Sequence, residues 1–231
     1  MLHTPLGGCA SLGGKGIPLA FAFRYSFAFR ERYIPDHMNE SIENITDDLE
    51  ACLRTLRDGG LILYPTDTIW GIGCDATSDE AVRRVYALKQ RADHKAMLTL
   101  VDSTARIGAY VDTIPDIAWD LVDLSERPLT IIYPHARSLA PSLLGPEGSI
   151  GMRVTRERFS HTLCERFRRP IVSTSANLSG QPAPHCFDEI SDEVCRGVDY
   201  IVQYRRTDRT PARPSGIIRL GADGTIQVIR E

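Results

Sequence analysis

Strand-type and helix-type segments alternate along this chain from residue 42 to residue 231, and that alternation most constrains its fold. Apolar residues at helical spacing over 42–57 are followed by Asp58-Gly59-Gly60, a signal that ends a helix. Residues 61–64 then form a short apolar run that ends at Pro65, as expected for a buried strand. The spacing of the later segments is too uneven for a clean doubly wound sheet. The pattern therefore predicts one mixed α/β domain.

The remaining elements follow from local signals of the same kind. Thr77 and Glu80 have the spacing of a capping box, which predicts a helix over 81–89. Apolar periodicity predicts further helices over 114–124, 159–167 and 186–194. Further strands are predicted over 97–101, 129–133, 150–154, 170–172, 201–203, 216–220 and 226–229.

Composition excludes several classes of protein. The chain has 231 residues, of which 42% are hydrophobic and 25% charged, and its formal net charge is −3. This charge excludes a generally basic nucleic-acid coat but leaves room for a local basic groove. No apolar run approaches the roughly 18 residues of a membrane-spanning helix, so no membrane contact is predicted. The six cysteines lack metal-ligand spacing, which argues against a zinc module or a disulfide scaffold and favours a reducing, cytoplasmic location.

The first 37 residues differ from the rest of the chain. They contain Gly-Gly pairs and a phenylalanine-rich run, and Glu31 is their first acidic residue. We predict that 1–37 is a disordered extension or an over-long reading of the gene, with a transit peptide as the alternative. The functional domain is then predicted over 38–231.

A first candidate site is the segment 64–73, where a predicted strand runs into Pro65 and then into Thr66-Asp67-Thr68. Two hydroxyls flank a carboxylate there, and the glycines that follow allow close backbone approach. Open α/β sheets bind ligands at such strand ends. The alternative interpretation is a tight turn stabilised by Asp67.

A second candidate is cationic. The chain has 24 arginines and three lysines, and two of those lysines, Lys89 and Lys95, flank Arg91 directly after a predicted helix. Three cations in seven residues can clamp a polyphosphate or a carboxylate. They can equally be a charged end of the helix that complements its dipole.

Two further segments carry polar side chains at predicted strands. The run 173–180 contains Ser173, Ser175 and Asn177 and no partner that would make a serine nucleophilic, so it suits ligand positioning or is a polar turn. Strand alternation places Ser149 and Arg153 on one face, where Arg153 can bind a carboxylate or phosphate bidentately or form a surface ion pair.

The order and spacing of these motifs resemble those of the YrdC/TsaC family of threonylcarbamoyl-adenylate synthases, in its short single-domain form, over residues 45–231. The matching segments are 65–73, 89–91, 149–153, 175–180, 214–217 and 228–231. The resemblance implies a twisted open mixed sheet with helices around a large concave basic groove. It also implies that ATP, L-threonine and bicarbonate condense to threonylcarbamoyl-AMP and pyrophosphate, with Mg²⁺ carried by ATP. A downstream threonylcarbamoyl-transferase complex then modifies tRNA.

The resemblance also assigns roles to individual residues. It implies that the catalytic set is Lys89, Arg91, Ser175 and Asn177. The ATP-binding residues implied are Arg91, Lys95, Ser149, Ser175, Ala183 and Arg230. The threonine-binding residues implied are Thr66 or Thr68, Arg153, Ser173 and Ser215.

The sequence departs from the family pattern at several positions, and this keeps other functions open. Ala92 replaces a usual proline, Thr155 and Glu157 stand where the family has proline and histidine, and Gly216 replaces a threonine. The main alternative is a non-catalytic, YciO-like RNA-binding or translation-associated protein that uses the same groove, with double-stranded RNA as a predicted partner. Arginine-rich stretches near 153–169 and 205–213 support it. A third is carbamoyl transfer within a larger maturation protein.

Overall fold

The structure, a computed structural model, describes residues 36–90, 97–210 and 213–231, and the chain divides into Met1–Glu40 and the compact unit Ser41–Glu231. The helices are α1 (Asp36–Arg57), α2 (Asp79–Leu88), α3 (Thr104–Ile107), α4 (Ile117–Leu124), α5 (Arg158–Phe167) and α6 (Asp192–Gly197). The strands are β1 (Ile62–Tyr64), β2 (Gly71–Gly73), β3 (Leu98–Val101), β4 (Leu129–Tyr133), β5 (Ile150–Val154), β6 (Ile171–Ser175), β7 (Tyr200–Ile201), β8 (Gly216–Leu220) and β9 (Ile226–Arg230). Because 1–35 lies outside the described residues, the predicted boundary at residue 37 stays a prediction.

The nine strands form one mixed sheet in the order β7-β1-β2-β6-β3-β5-β4-β8-β9. The pairs β1–β7, β3–β5 and β4–β8 are parallel, and the other neighbours are antiparallel. The mixed α/β prediction is therefore confirmed. Strands from the first and last parts of the domain share the sheet, so residues far apart in sequence meet on its face.

Buried apolar side chains of the helices and strands form one continuous core. Helix α1 contributes Leu49, Cys52 and Leu56, which are almost fully buried. The same helix buries Asp48, whose carboxylate accepts hydrogen bonds from the Tyr200 hydroxyl at 2.6 Å and from the backbone of Gln203 and Tyr204. A buried carboxylate is stable only when it is bonded in this way, and here it fixes the chain after β7 against α1.

Two helix predictions are corrected. The capping residue of α2 is Ser78, whose side chain accepts from the Ala81 amide, and not Thr77. The Thr77 hydroxyl and amide instead bond to the carboxylate of Asp75 at 2.7 and 2.8 Å, which favours a turn one residue before the helix. The predicted helix over 186–194 is a 3-10 turn at Phe187–Glu189 followed by α6, because Ser191 caps a new helix and interrupts the first.

Strand β2 was not predicted, and its glycines serve the sheet itself. A Cβ atom on Gly73 would lie 2.6 Å from the Tyr64 ring and 2.9 Å from the carbonyl of Val172, so no other residue fits between β1 and β6. Strand β6 also extends through Ser173, Thr174 and Ser175, which the sequence predicted as loop. These hydroxyl side chains are therefore held on a strand rather than on a turn.

Candidate functional site

The first candidate segment is the six-residue loop that joins β1 to β2, and internal hydrogen bonds fix its shape. Thr66 and Thr68 are buried, with their hydroxyl oxygens 3.1 Å apart. The Thr66 hydroxyl donates to the carbonyl of Ile69 at 2.8 Å and accepts from the amide of Thr68. Thr66 thus shapes the loop from behind, while Thr68 faces the sheet.

Arg153 lies on β5 beneath this loop and is 97% buried. Its guanidinium donates to the Thr68 hydroxyl at 3.3 Å and forms an ion pair with Asp67, with 2.9 Å between Nη2 and Oδ1. Burial raises the pKa of the Asp67 carboxyl, and the positive charge of Arg153 opposes that rise in part. Among the described residues, Arg153 Nε has no hydrogen-bond partner, so this buried donor is left to bind something else.

Lys89 lies at the end of α2, where the structure turns its ammonium group inward. The side chain is 2% exposed and donates to the backbone carbonyls of Ser175 and Asn177, the latter at 2.6 Å. The Lys89 carbonyl in turn accepts from the amide of Ser179. This lysine therefore anchors the loop after β6 to α2, in addition to whatever ligand contact it makes.

Asn177 presents its side chain within the same loop. Its amide nitrogen donates to the carbonyls of Leu178 and Gln181, and its Oδ1 is a buried acceptor without a partner among the described residues. An unpaired buried acceptor is costly unless a ligand or water satisfies it.

The opposite wall comes from the segment before β8 and from β9. The buried Ser215 hydroxyl lies 2.9 Å from the hydroxyl of Thr130 on β4. Arg230 on β9 donates to the carbonyl of Ser215 at 2.9 Å and to its hydroxyl at 3.4 Å. Arg230 thus lies over this wall with an exposed side chain.

These walls enclose a central depression of about 310 Å³. Seven of the predicted site residues line it: Thr68, Arg153, Ser173, Ser175, Ala183, Ser215 and Arg230. It adjoins an outer depression of about 610 Å³, which shares Thr68, Pro214 and Arg230 with it and is also lined by Asp67, Arg127, Arg205 and Arg213. Predicted site residues from six separate segments of the chain therefore meet at this depression.

The other predicted residues lie elsewhere. Thr66 is behind the loop, so Thr68 is the threonine of this pair that lines the central depression. Lys89 and Asn177 support its rim through the contacts above. Ser149 lines a separate depression of about 290 Å³ with His135 and Arg219. Arg91 and Lys95 lie outside the described residues, so their roles stay predictions.

Two side chains that organise the site were not among the predicted site residues. Asp67 was weighed as a turn residue, yet it pairs with Arg153. Arg205 was grouped with surface arginines, yet it donates to the carbonyl of Thr66 at 3.2 Å and is held by Asp208 at 2.9 and 2.8 Å. The Thr66-Asp67-Thr68 spacing was a signal for Asp67, whereas nothing local distinguishes Arg205 from its arginine neighbours.

The parts of the chain that the structure describes hold no group of three His, Cys, Asp or Glu side chains able to bind a metal ion. They also contain no helix long and apolar enough to cross a membrane. The five cysteines among them are free thiols. Of the two carboxylates that line the outer depression, Asp67 is already paired with Arg153 and Glu231 follows β9. The prediction that Mg²⁺ arrives on ATP therefore stays a prediction.

The mixed sheet thus brings a buried arginine with an unpaired donor, the strand-borne serines and the buried Ser215 hydroxyl to one depression. A family model of the Sua5/YciO/YrdC domain, described as "Telomere recombination", matches residues 54–231. The chain belongs to this family.

Curated relatives and solved structures agree with that assignment. The threonylcarbamoyl-AMP synthase of Pseudoalteromonas translucida is 34% identical over 157 residues, which is 67% of this chain and 84% of that protein. The synthase of Saccharophagus degradans is 36% identical over 58% of this chain and 71% of its own length. The crystal structure of E. coli YciO has a TM-score of 0.69 at 26% identity, covering 79% of this chain and 88% of that one. P. abyssi Sua5 complexed with L-threonine shares the fold, with a TM-score of 0.67 at 24% identity over 74% of this chain and 50% of that one.

Proposed function

We propose that this protein is a threonylcarbamoyl-AMP synthase, which converts ATP, L-threonine and bicarbonate to threonylcarbamoyl-AMP and pyrophosphate. Relatives of that name, matched over most of their length, support the activity. The observation that carries the assignment in this chain is the convergence of Thr68, Arg153, Ser173 and Ser215 on one depression. Their donors and acceptors suit a small hydroxylated amino acid.

The chemistry asks mostly for positioning and charge neutralisation. The carbamate oxygen must reach the α-phosphorus in line with the departing pyrophosphate, so both substrates must be held at fixed distances. Arg153 binds the threonine carboxylate at the base of the depression, where low exposure strengthens the charge contact. Thr68 and Ser215 supply hydroxyl groups for the rest of that amino acid.

The nucleotide lies toward the outer side of the depression. Ser175 and Ala183 border it on the β6 side and Arg230 on the β9 side, and Arg230 is exposed and thus able to meet phosphates. Lys89 fixes the β6 side, while Arg91 and Lys95 supply further positive charge. Mg²⁺ travels with the triphosphate and offsets its negative charge. The product passes to a threonylcarbamoyl-transferase complex that modifies tRNA in the cytoplasm.

The activity is tested by pyrophosphate release from ATP and Mg²⁺, adding and omitting L-threonine and bicarbonate. Release that needs both substrates, and that falls at least 100-fold in Arg153→Ala, supports the proposal. Arg83→Ala is the matched control, because Arg83 is an exposed arginine paired with Asp79 on α2. Release that is independent of threonine, or that is equal in both variants, would contradict the assignment.

Double-stranded RNA binding stays a prediction, and the contacts of the arginine-rich stretches weaken its basis. Arg156 donates to the carbonyls of Val122 and Ser125, and Arg206 donates to those of Ile201 and Val202. Other members of the stretches are also engaged: Arg169 with Asp75, Arg205 with Asp208, and Arg209 with Asp188. The arginines engaged in this way contribute to the fold and are therefore less available to phosphates. Binding to RNA that falls by orders of magnitude between 50 and about 200 mM salt would revive this alternative.

A further inference from the structure

Two buried polar atoms of opposite character belong to the Asp67–Arg153 ion pair at the β1–β2 loop. Among the described residues, neither Asp67 Oδ1 nor Arg153 Nε has a hydrogen-bond partner. The carboxylate is within 2.9 Å of the guanidinium, but this contact is an ion pair without hydrogen-bond alignment. One atom is an acceptor with negative charge and the other is a donor with positive charge. Such atoms are rarely left unpaired inside a protein.

An α-amino acid carries the complementary pair, because its carboxylate and its ammonium group are attached to the same carbon. The carboxylate fits the donor of Arg153, as the proposed function requires. The ammonium group then lies beside Asp67, whose side chain is 11% exposed and lines the adjoining outer depression. A single small zwitterion thus offers a hydrogen-bond partner to each of the two atoms, in addition to the ion pair between Asp67 and Arg153.

We propose that Asp67 receives the α-ammonium group of the amino-acid substrate and takes the proton that this group must lose before it is carboxylated. The inference rests on the proposed function and assigns a catalytic residue to it. The ammonium first gives a proton to the Asp67 carboxylate, which leaves a neutral amine. The amine nitrogen then bonds to the carbon of bicarbonate, the C–OH bond breaks, and the hydroxide leaves as water with the second amine proton. The products are the carbamate and water, and Asp67 later returns its proton to solvent.

The surroundings of Asp67 support this role. Burial raises the pKa of its carboxyl, which makes the carboxylate a better proton acceptor than an exposed one. Arg153 opposes the rise and Glu157 at the start of α5 adds to it. Asp67 lines the outer depression and also a smaller one of about 120 Å³. The other charged groups that line these two depressions are Glu126, Arg127, Arg156, Arg205, Arg213, Arg230 and Glu231.

The test compares the full chain with Asp67→Asn and Asp67→Glu in pyrophosphate release between pH 6.5 and 9.5. We expect the parent to vary little with pH, because the bound ammonium is deprotonated by Asp67. The rate of pyrophosphate release by Asp67→Asn is at least about 100-fold lower than the parent's at pH 7. Its rate then rises about tenfold per pH unit relative to the parent, because it must capture the scarce neutral amine. Asp67→Glu keeps a carboxylate and keeps the parent's profile.

Two matched measurements make the result decisive. Asp79→Asn, at the start of α2 and outside both depressions, controls for the loss of a carboxylate elsewhere and keeps the parent's pH profile. If Asp67→Asn fails to fold, the parent alone tests the contact, through binding of L-threonine and of an analogue whose amine is replaced by hydroxyl. We expect the analogue to bind at least tenfold more weakly.

The outcomes distinguish a failure of the proposed role of Asp67 from a failure of the proposed synthase activity. An Asp67→Asn profile parallel to the parent's, or equal binding of the analogue, would overturn the role of Asp67 while pyrophosphate release stands. A parent that releases no pyrophosphate under any condition would overturn the proposed function, and the binding measurement would still decide the ammonium contact.

Discussion

Replacing Lys89 by methionine tests whether this lysine is a structural part of the site. The variant keeps the apolar stem of the side chain but removes the ammonium that donates to the carbonyls of Ser175 and Asn177. A hydrogen bond to a charged group contributes about 1.5–3 kcal/mol. The contacts are partly buried, so the lower value applies to each, and the loss is about 3 kcal/mol of unfolding free energy. For a domain of this size that corresponds to a fall in Tm of about 6–12 °C.

Urea unfolding followed by tryptophan fluorescence measures this change, with Arg83→Met as the control. Arg83 is an exposed cation on the same helix, and loss of its pair with Asp79 costs about 0.5 kcal/mol or less. If the unfolding free energy of Lys89→Met lies within 0.5 kcal/mol of the parent's, the ammonium does not anchor the loop after β6 and our reasoning is wrong. If it also loses ATP affinity while folded, the predicted phosphate contact is supported as well.

Four other perturbations follow from the same contacts. Arg205→Ala frees the carbonyl of Thr66, so we expect the KM for threonine to rise about tenfold with little change in kcat, measured by steady-state pyrophosphate release. Ser215→Ala removes a hydroxyl shared by Thr130 and Arg230, which lowers the unfolding free energy by about 1 kcal/mol in urea titration. Asp48→Ala leaves three donors unpaired in the interior and costs about 3 kcal/mol or more by the same assay. Hydrogen bonds from Thr210 and the nearby Arg205 lower the pKa of Asp208 to about 2. The stabilising effect of the Asp208 carboxylate is therefore present above pH 4 and is lost as the pH falls towards 2. The Tm difference between the parent and Asp208→Asn should shrink over that range.

Local patterns predicted the regular elements well, because they depend on residues that are close in sequence. Strands β4, β5 and β8 have the predicted bounds, and α1 ends at Arg57 as expected. Strand β2 could not be predicted in this way. It is three residues long, and two of those residues are glycines. Residue 73 must be glycine because Tyr64 and Val172 leave no room for a side chain there. That constraint comes from neighbours on other strands.

The site shows the same division between local and distant information. The family resemblance grouped Thr66 or Thr68 with Arg153 and Ser175, and of these Thr68, Arg153 and Ser175 line one depression. It gave no direction for the Lys89 side chain, whose partner carbonyls lie 86 and 88 positions further along the chain. Arg205 was misjudged for the same reason, since its contact with Thr66 spans 139 positions. Composition shows that a chain is rich in arginine, but the fold decides which arginines face a ligand.

The span of 139 residues between Thr66 and Arg205 has a consequence for how the protein is made. At roughly 5–20 residues per second, a ribosome delivers Arg205 about 7–28 s after Thr66. During that time the β1–β2 loop exists without the side chain that holds it and without the wall formed by Ser215 and Arg230. Contacts this distant also slow folding, because the chain must close a long loop before they form. The binding site is therefore completed only late in synthesis, together with strands β7 and β8, and ligand binding reports that synthesis and folding have both finished.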